Sequence, residues 1–136
     1  RMLVNECEII KRNGQCIYLA GIDDAHFYLT DNIERAASGI PGDAFSILLS
    51  HTPEVYEEAA HVDFNVMLSG HTHGGQICLP GSIPIILNSV LPRYMGGGAW
   101  TYRGMSGYTS VGAGSSTIPV RFNCPPEITL HYLHSI

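Results

Sequence analysis

Apolar and polar residues alternate near the start of the chain and separate into continuous runs in its middle, and the two patterns predict different elements. Over residues 3–22, Glu6-Cys7-Glu8-Ile9 and Cys16-Ile17-Tyr18-Leu19 flank Asn13-Gly14. That pair favours a two-residue hairpin turn because both residues tolerate positive φ. The turn pairs Arg12 with Gln15, hence Cys16 with Lys11 and Cys7 with Ala20, and Gly21-Ile22-Asp23-Asp24 closes the hairpin. Farther on, Ile47-Leu48-Leu49 and Val66-Met67-Leu68 are unbroken apolar runs, the pattern of central parallel strands covered on both faces. Between them Thr52-Pro53-Glu54 opens a helix over 55–60, with Thr52 as N-cap, Pro53 at the first helical position and Glu54 in an acidic first turn. The product is a βαβ unit.

The remaining elements follow from turn and cap signals. Asp31 to Ser38 reads as a short helix with a capping box, Asp31 at the cap and Glu34 at the third helical position, stopped by Gly39 ahead of Pro41. Gln76 to Leu79 is a short strand on which Cys78 is a small buried hydrophobe. A Pro- and Gly-rich excursion from Pro80 to Gly98 follows, an ordered loop with one helical turn, of the kind that lines sites. Ala99–Arg103, Tyr108–Gly112 and Glu127–Leu133 read as three antiparallel strands, the last placing Ile128, Leu130 and Tyr132 on one face. The class is mixed α/β.

Composition narrows the function. A length of 136 residues bounds one domain with a core of its own. A net charge of −5 with only seven Lys and Arg argues against nucleic acid as a structural partner, because neutralising phosphates takes a clustered basic surface. The longest nearly apolar stretch, Ile83 to Leu91, is broken by Pro84 and Asn88, so nothing here spans a bilayer. The opening Arg1-Met2-Leu3-Val4 lacks a leader pattern and reads as a cut or processed end. Four cysteines without CxxC spacing are expected to be reduced thiols, and the hairpin register holds Cys7 and Cys16 too far apart to bridge.

Candidate chemistry sits where the two apolar runs end. One breaks into Ser50-His51, the other into Ser69-Gly70-His71-Thr72-His73-Gly74-Gly75-Gln76. Imidazole nitrogen is the commonest protein ligand for zinc and its neighbours, and flanking glycines let backbone approach an ion or phosphate. Adjacent parallel strands lie about 4.8 Å apart, so His51 and His71 leave the sheet at one carboxyl edge, close enough to share an ion. A lone strand-end histidine is ordinarily a satisfied polar group; three in this spacing favour a metal site. His61, at a helix end, and His131 and His134, on or past an exposed last strand, carry no such signal. Gly74 and Gly75 serve a backbone turn, with amides able to face a phosphate oxygen. Arg93 and Arg121 are weighed as phosphate contacts against ordinary loop charges.

These blocks, with Leu48-Leu49-Ser50-His51-Thr52-Pro53, resemble the last two signature blocks of the calcineurin-like metallophosphoesterases. The hairpin ending Ala20-Gly21-Ile22-Asp23-Asp24, the Arg93-Tyr94 loop and the segments Pro119-Val120-Arg121-Phe122 and Pro125-Pro126-Glu127-Ile128-Thr129-Leu130 are similar to a bacterial subgroup of membrane-associated phosphodiesterase-like proteins. The resemblance implies that residues 1–136 form the C-terminal half of a four-layer α/β/β/α sandwich. It implies hydrolysis of phosphomonoesters or phosphodiesters by metal-activated hydroxide, with two divalent transition metals (Mn, Fe, Zn or Ni). His51 and His71 would bind the second metal and His73 the first, at a separation of about 3.5–4 Å. The family's Asp-x-His, Gly-Asp-x-x-Asp and Gly-Asn-His-Asp blocks have no match here and are expected upstream of Arg1. Asp24-Ala25-His26 spells Asp-x-His but follows a hairpin strand, and is read as a decoy.

Several further expectations follow. This chain alone supplies three ligands, enough to hold one Zn or Ni, and is expected to be inactive by itself. It self-associates or pairs with the rest of the sandwich, and lies in the bacterial cytoplasm or at the membrane's cytoplasmic face, any membrane attachment coming from the missing N-terminal region. The alternatives are a non-catalytic metal-binding or assembly fragment, and a single-zinc hydrolase with Asp23 or Asp24 as base.

Overall fold

A computed structural model describes residues 1–134. Strand β1 (Glu6–Arg12) turns through Asn13-Gly14 into β2 (Gln15–Gly21), pairing Cys7 with Ala20 and Cys16 with Lys11 as the turn requires. After α1 (Ile33–Ala37) the chain enters the βαβ unit: β3 (Ser46–Leu49), a 3-10 turn (Pro53–Val55), α2 (Tyr56–His61) and β4 (Val66–Ser69). Strands β3 and β4 are parallel, Leu48 opposite Met67 and Leu49 opposite Leu68. A two-stranded ladder, β5 (Cys78–Leu79) with β6 (Ile83–Pro84), and the hairpin β7 (Gly98–Tyr102) with β8 (Met105–Thr109) complete the elements. The main sheet is mixed, in the order β1-β2-β3-β4-β8-β7. Its parallel pairings are β2 with β3, β3 with β4 and β4 with β8.

One register row runs across the sheet, Ala20–Leu48–Met67–Gly107–Trp100. On that face Ala20, Leu48 and Met67 are fully buried, packed with Ile33, Ala36, Val55, Ala59, Phe64, Met95 and Met105. Burying a Leu or Met side chain stabilises by roughly 1.5–3 kcal/mol, so this row anchors the fold. The opposite face differs from the two-sided cover that the apolar runs predict: Leu49 is 36% exposed and its neighbours Val66 and Leu68 are half-buried. The helices cover a single face, Ile33 and Ala36 of α1 and Ala59 of α2 packing with Ala20, Leu48 and Met67.

Three further predictions are corrected. The α1 cap is Asn32, whose side chain accepts from the Arg35 amide at 2.8 Å, rather than Asp31. The register is set one residue later because Asn5 Oδ1 takes the Asn32 amide at 2.9 Å. Strand β5 is confined to Cys78–Leu79. Residues 127–133 form no strand: Ile128, Leu130 and Tyr132 are 94%, 72% and 74% exposed. An alternating segment needs a neighbouring strand edge, and Pro125-Pro126 removes two donors just before it. The segment is held at Glu127, whose amide donates to Gly112 O at 3.0 Å and whose carboxylate accepts from the Tyr108 hydroxyl at 3.0 Å.

All four cysteines are free; Cys16 is exposed, Cys7 half-buried, and Cys78 and Cys124 buried. Burial, then the neighbouring Cys124, pushes the Cys78 thiol up. With the thiolate as the reacting species, a disulfide reagent is expected to modify Cys16 promptly, Cys7 more slowly, and Cys78 and Cys124 only on unfolding. Rapid labelling of all four by peptide mass mapping would contradict this packing.

Candidate metal centre

The carboxyl tips of β3 and β4 meet through backbone. The Ser50 amide donates to Leu68 O at 3.0 Å and the Gly70 amide to His51 O at 3.1 Å. His51 and His71 therefore project from one edge, and their rings come together: His51 Nε2 lies 3.0 Å from His71 Nδ1, with ring centroids 4.8 Å apart. The far nitrogen of His71, Nε2, is 3.1 Å from Asn88 O. A carbonyl only accepts, so Nε2 carries the proton and the neutral ring leaves Nδ1 as a lone pair. Where a histidine ligates a metal, an outer hydrogen bond of this kind ordinarily orients it.

A cation fits this pair by the chemistry of its donors. With metal–nitrogen bonds of about 2.0–2.1 Å, two adjacent ligands sit about 3 Å apart. Among the described residues no group of three or more His, Cys, Asp or Glu side chains stands in metal-holding geometry, so the described residues bring two imidazoles together and no third donor of these types with them.

His73 stands in a different network. Its Nδ1 lies 3.4 Å from Arg121 Nη2, and a guanidinium only donates, so Nδ1 is the acceptor. Arg121 is otherwise engaged with carbonyls: Gly114 O at 2.7 Å, Val111 O at 2.5 Å and Gly112 O at 3.1 Å. It clamps the loop after β8 and has few donors left for a phosphate. Arg93 donates to Pro84 O at 3.3 Å and lines a cavity of about 360 Å³ with Gly74, Ser82, Tyr94 and Glu127. That cavity lies behind the glycines and does not include His51 or His71.

The loop is preset by backbone. His71 (φ 69°), His73 (φ 49°) and Gln76 (φ 58°) are left-handed alongside Gly74 and Gly75. A Cβ on Gly74 would meet Val111 Cγ1 at 2.6 Å, and one on Gly75 would meet Pro84 Cβ at 2.4 Å. Thr72 locks the turn, its hydroxyl donating to Gly96 O at 2.6 Å and accepting from the Gly74 amide at 3.2 Å.

His26 and Glu54, to which the sequence assigns no part in a metal site, also reach this edge. His26 packs on His71, centroids 4.2 Å apart, and its Nδ1 lies 2.7 Å from Glu54 Oε2. Asp24, its companion in the decoy tripeptide, caps the loop by accepting from the Phe27 and Tyr28 amides. The available signal was position: His26 follows β2, and Glu54 opens the turn after β3.

Burial pushes the Glu54 carboxyl up, but the Val90 amide, His26 and Ser89 together outweigh it and hold the group below the usual carboxylate range. His71 is held below the usual imidazole value by burial first, then by His26 and His51. In both cases the unfolded chain binds the proton before the folded one does, so acid destabilises the metal-free protein. The Glu54 contribution is present above about pH 4.3 and lost as pH falls through the lower folded value; the His71 contribution starts to fall below about pH 6.5. Urea denaturation across that range is expected to show stability declining from neutral pH downward, less steeply at the acid end in Glu54→Gln. A flat profile would contradict both assignments.

No family profile matches the chain, and no solved structure does. Curated relatives do match. The Bacillus subtilis uncharacterized metallophosphoesterase YkuE is 37% identical over 123 residues, 90% of this chain and 42% of that protein. The Escherichia coli phosphodiesterase YaeI is 35% identical over 95% of this chain and 46% of its own length. Over about nine-tenths of its length the chain is thus similar to proteins named metallophosphoesterase. A Bos taurus transmembrane protein with a metallophosphoesterase domain is 33% identical over 88% of the chain, and the chain covers 28% of it. The chain thus spans less than half the length of these relatives. No described helix is long and apolar enough to cross a membrane.

Proposed function

We propose that this chain supplies histidine ligands to the divalent-metal centre of an enzyme that hydrolyses phosphomonoester or phosphodiester bonds. The observation that carries the reading is the His51–His71 contact, with the Asn88 carbonyl keeping the His71 proton on Nε2 so that the Nδ1 lone pair faces His51 Nε2, the position a shared cation would take. In this reading His51 and His71 hold one ion and His73, released from Arg121, holds its neighbour, making a dinuclear centre. Such ions, when bound, lower the pKa of water and neutralise charge at phosphorus. The chain's own residues bind and orient: His71 is held by Asn88 and His26, and the Gly74–Gly75 turn brings backbone close to the edge. The partly covered face around Leu49, Val66 and Leu68 supports a second sheet packing there, as in a four-layer sandwich. In this reading that cover is either the remainder of the protein or a second copy, and the protein works in the bacterial cytoplasm or at the cytoplasmic membrane face.

The full-length protein tests this with nitrophenyl mono- and diesters of phosphate. Turnover that appears with added manganese and disappears with chelator is the expected result. Saturable manganese binding without turnover of either ester would favour a non-catalytic metal-binding or assembly domain, and turnover indifferent to chelator would overturn the metal reading.

A further inference from the structure

We propose that Glu54 is a positioning residue for the histidine edge, its carboxylate fixing His26 with one oxygen and the Ser89–Val90 segment with the other. The inference rests on the reading of His51 and His71 as cation ligands. Glu54 follows the capping Thr52 and the rigid Pro53, and its side chain is 16% exposed. Oε2 takes His26 Nδ1 at 2.7 Å, while Oε1 accepts from the Ser89 hydroxyl at 2.9 Å and the Val90 amide at 2.7 Å. Three donors from two separate loops thus converge on one carboxylate.

The consequence reaches the ligands through two short paths. Asn88 precedes Ser89 directly, so holding Ser89 and Val90 holds the Asn88 carbonyl against His71 Nε2. That carbonyl decides which His71 nitrogen is bare. On the other path the carboxylate, an acceptor only, keeps the proton on His26 Nδ1 and stands the ring against His71 at 4.2 Å. One side chain therefore sets the orientation of two imidazoles and the tautomer of the ligating one. Partners of this kind ordinarily control metal affinity without touching the ion.

Calorimetric titration of the full-length protein with zinc, beside nitrogen-15 NMR of its imidazoles without metal, separates the possibilities. Glu54→Ala is expected to weaken zinc binding roughly 10- to 100-fold and to mix the two His71 tautomers. Glu54→Gln keeps an oxygen for Ser89 and Val90 and is expected to restore the single tautomer and most of the affinity. Should Glu54→Ala fail to fold, Glu54→Asp, one methylene short of spanning both partners, gives the same test and the same direction of change. Wild-type zinc affinity and one His71 tautomer in Glu54→Ala, with binding still lost in His71→Asn, would overturn the role of Glu54 alone. If the wild type shows no saturable zinc binding, the metal reading fails, and the tautomer measurement decides Glu54 independently: an unchanged His71 pattern overturns it.

Discussion

Replacing His71 with asparagine is expected to weaken zinc or manganese binding by the full-length protein by more than about 100-fold, beyond the loss typical of an outer hydrogen-bonding partner. The choice of asparagine matters. His71 sits at φ 69°, a region that asparagine and histidine tolerate and alanine does not favour. His71→Ala therefore adds a backbone cost of about 1–3 kcal/mol to the loss of the ligand, and asparagine removes the nitrogen donor with less distortion of the turn. Thermal melting should leave His71→Asn close to wild type while calorimetry shows the lost affinity. Unchanged affinity in a folded His71→Asn protein would remove His71 from the ligand set.

The second large effect lies in the sheet. Gly107 pairs with Met67 on one side and Trp100 on the other, and a Cβ built on it would stand 2.3 Å from three carbons of the Trp100 ring. The indole cannot step aside: it is 5% exposed and its Nε1 donates to the buried Thr109 hydroxyl at 2.9 Å. Gly107→Ala must displace that ring or spread β7 from β8. Overpacking of this kind costs about 1–3 kcal/mol, and losing the indole hydrogen bond adds about 1 kcal/mol. Urea denaturation with tryptophan fluorescence reads both the loss and its place, since Trp100 is the sole tryptophan. Wild-type stability in Gly107→Ala would mean that the ring does not lie on the glycine.

Where local chemistry decides an element, the sequence was readable. Asn13-Gly14 fixed the register of β1 and β2 residue by residue, and Thr52 and Pro53 opened the turn after β3 as caps do. The meeting of His51 and His71 followed from two parallel strands breaking at the same edge. What escaped depends on tertiary contacts. The last segment alternates like a strand but finds no edge to pair with. The apolar runs of β3 and β4 imply cover on two faces, and periodicity cannot say which part of a structure provides it. His26 and Glu54 looked ordinary because their partnership spans 28 positions and is created by the parallel pairing of β2 with β3. His73 shared the motif's spacing, yet the left-handed turn at Gly74 directs it toward Arg121.

Strand order also bears on how the histidine edge forms in time. The two hairpins close over a few residues, whereas joining β4 to β8 closes the stretch 70–104, and loop-closure entropy rises with length. That longest closure contains His71, His73 and the Asn88 carbonyl. The geometry of this edge is thus coupled to the most sequence-distant pairing among the parallel strands, so early folding species carrying both hairpins and the βαβ unit would lack an ordered histidine rim.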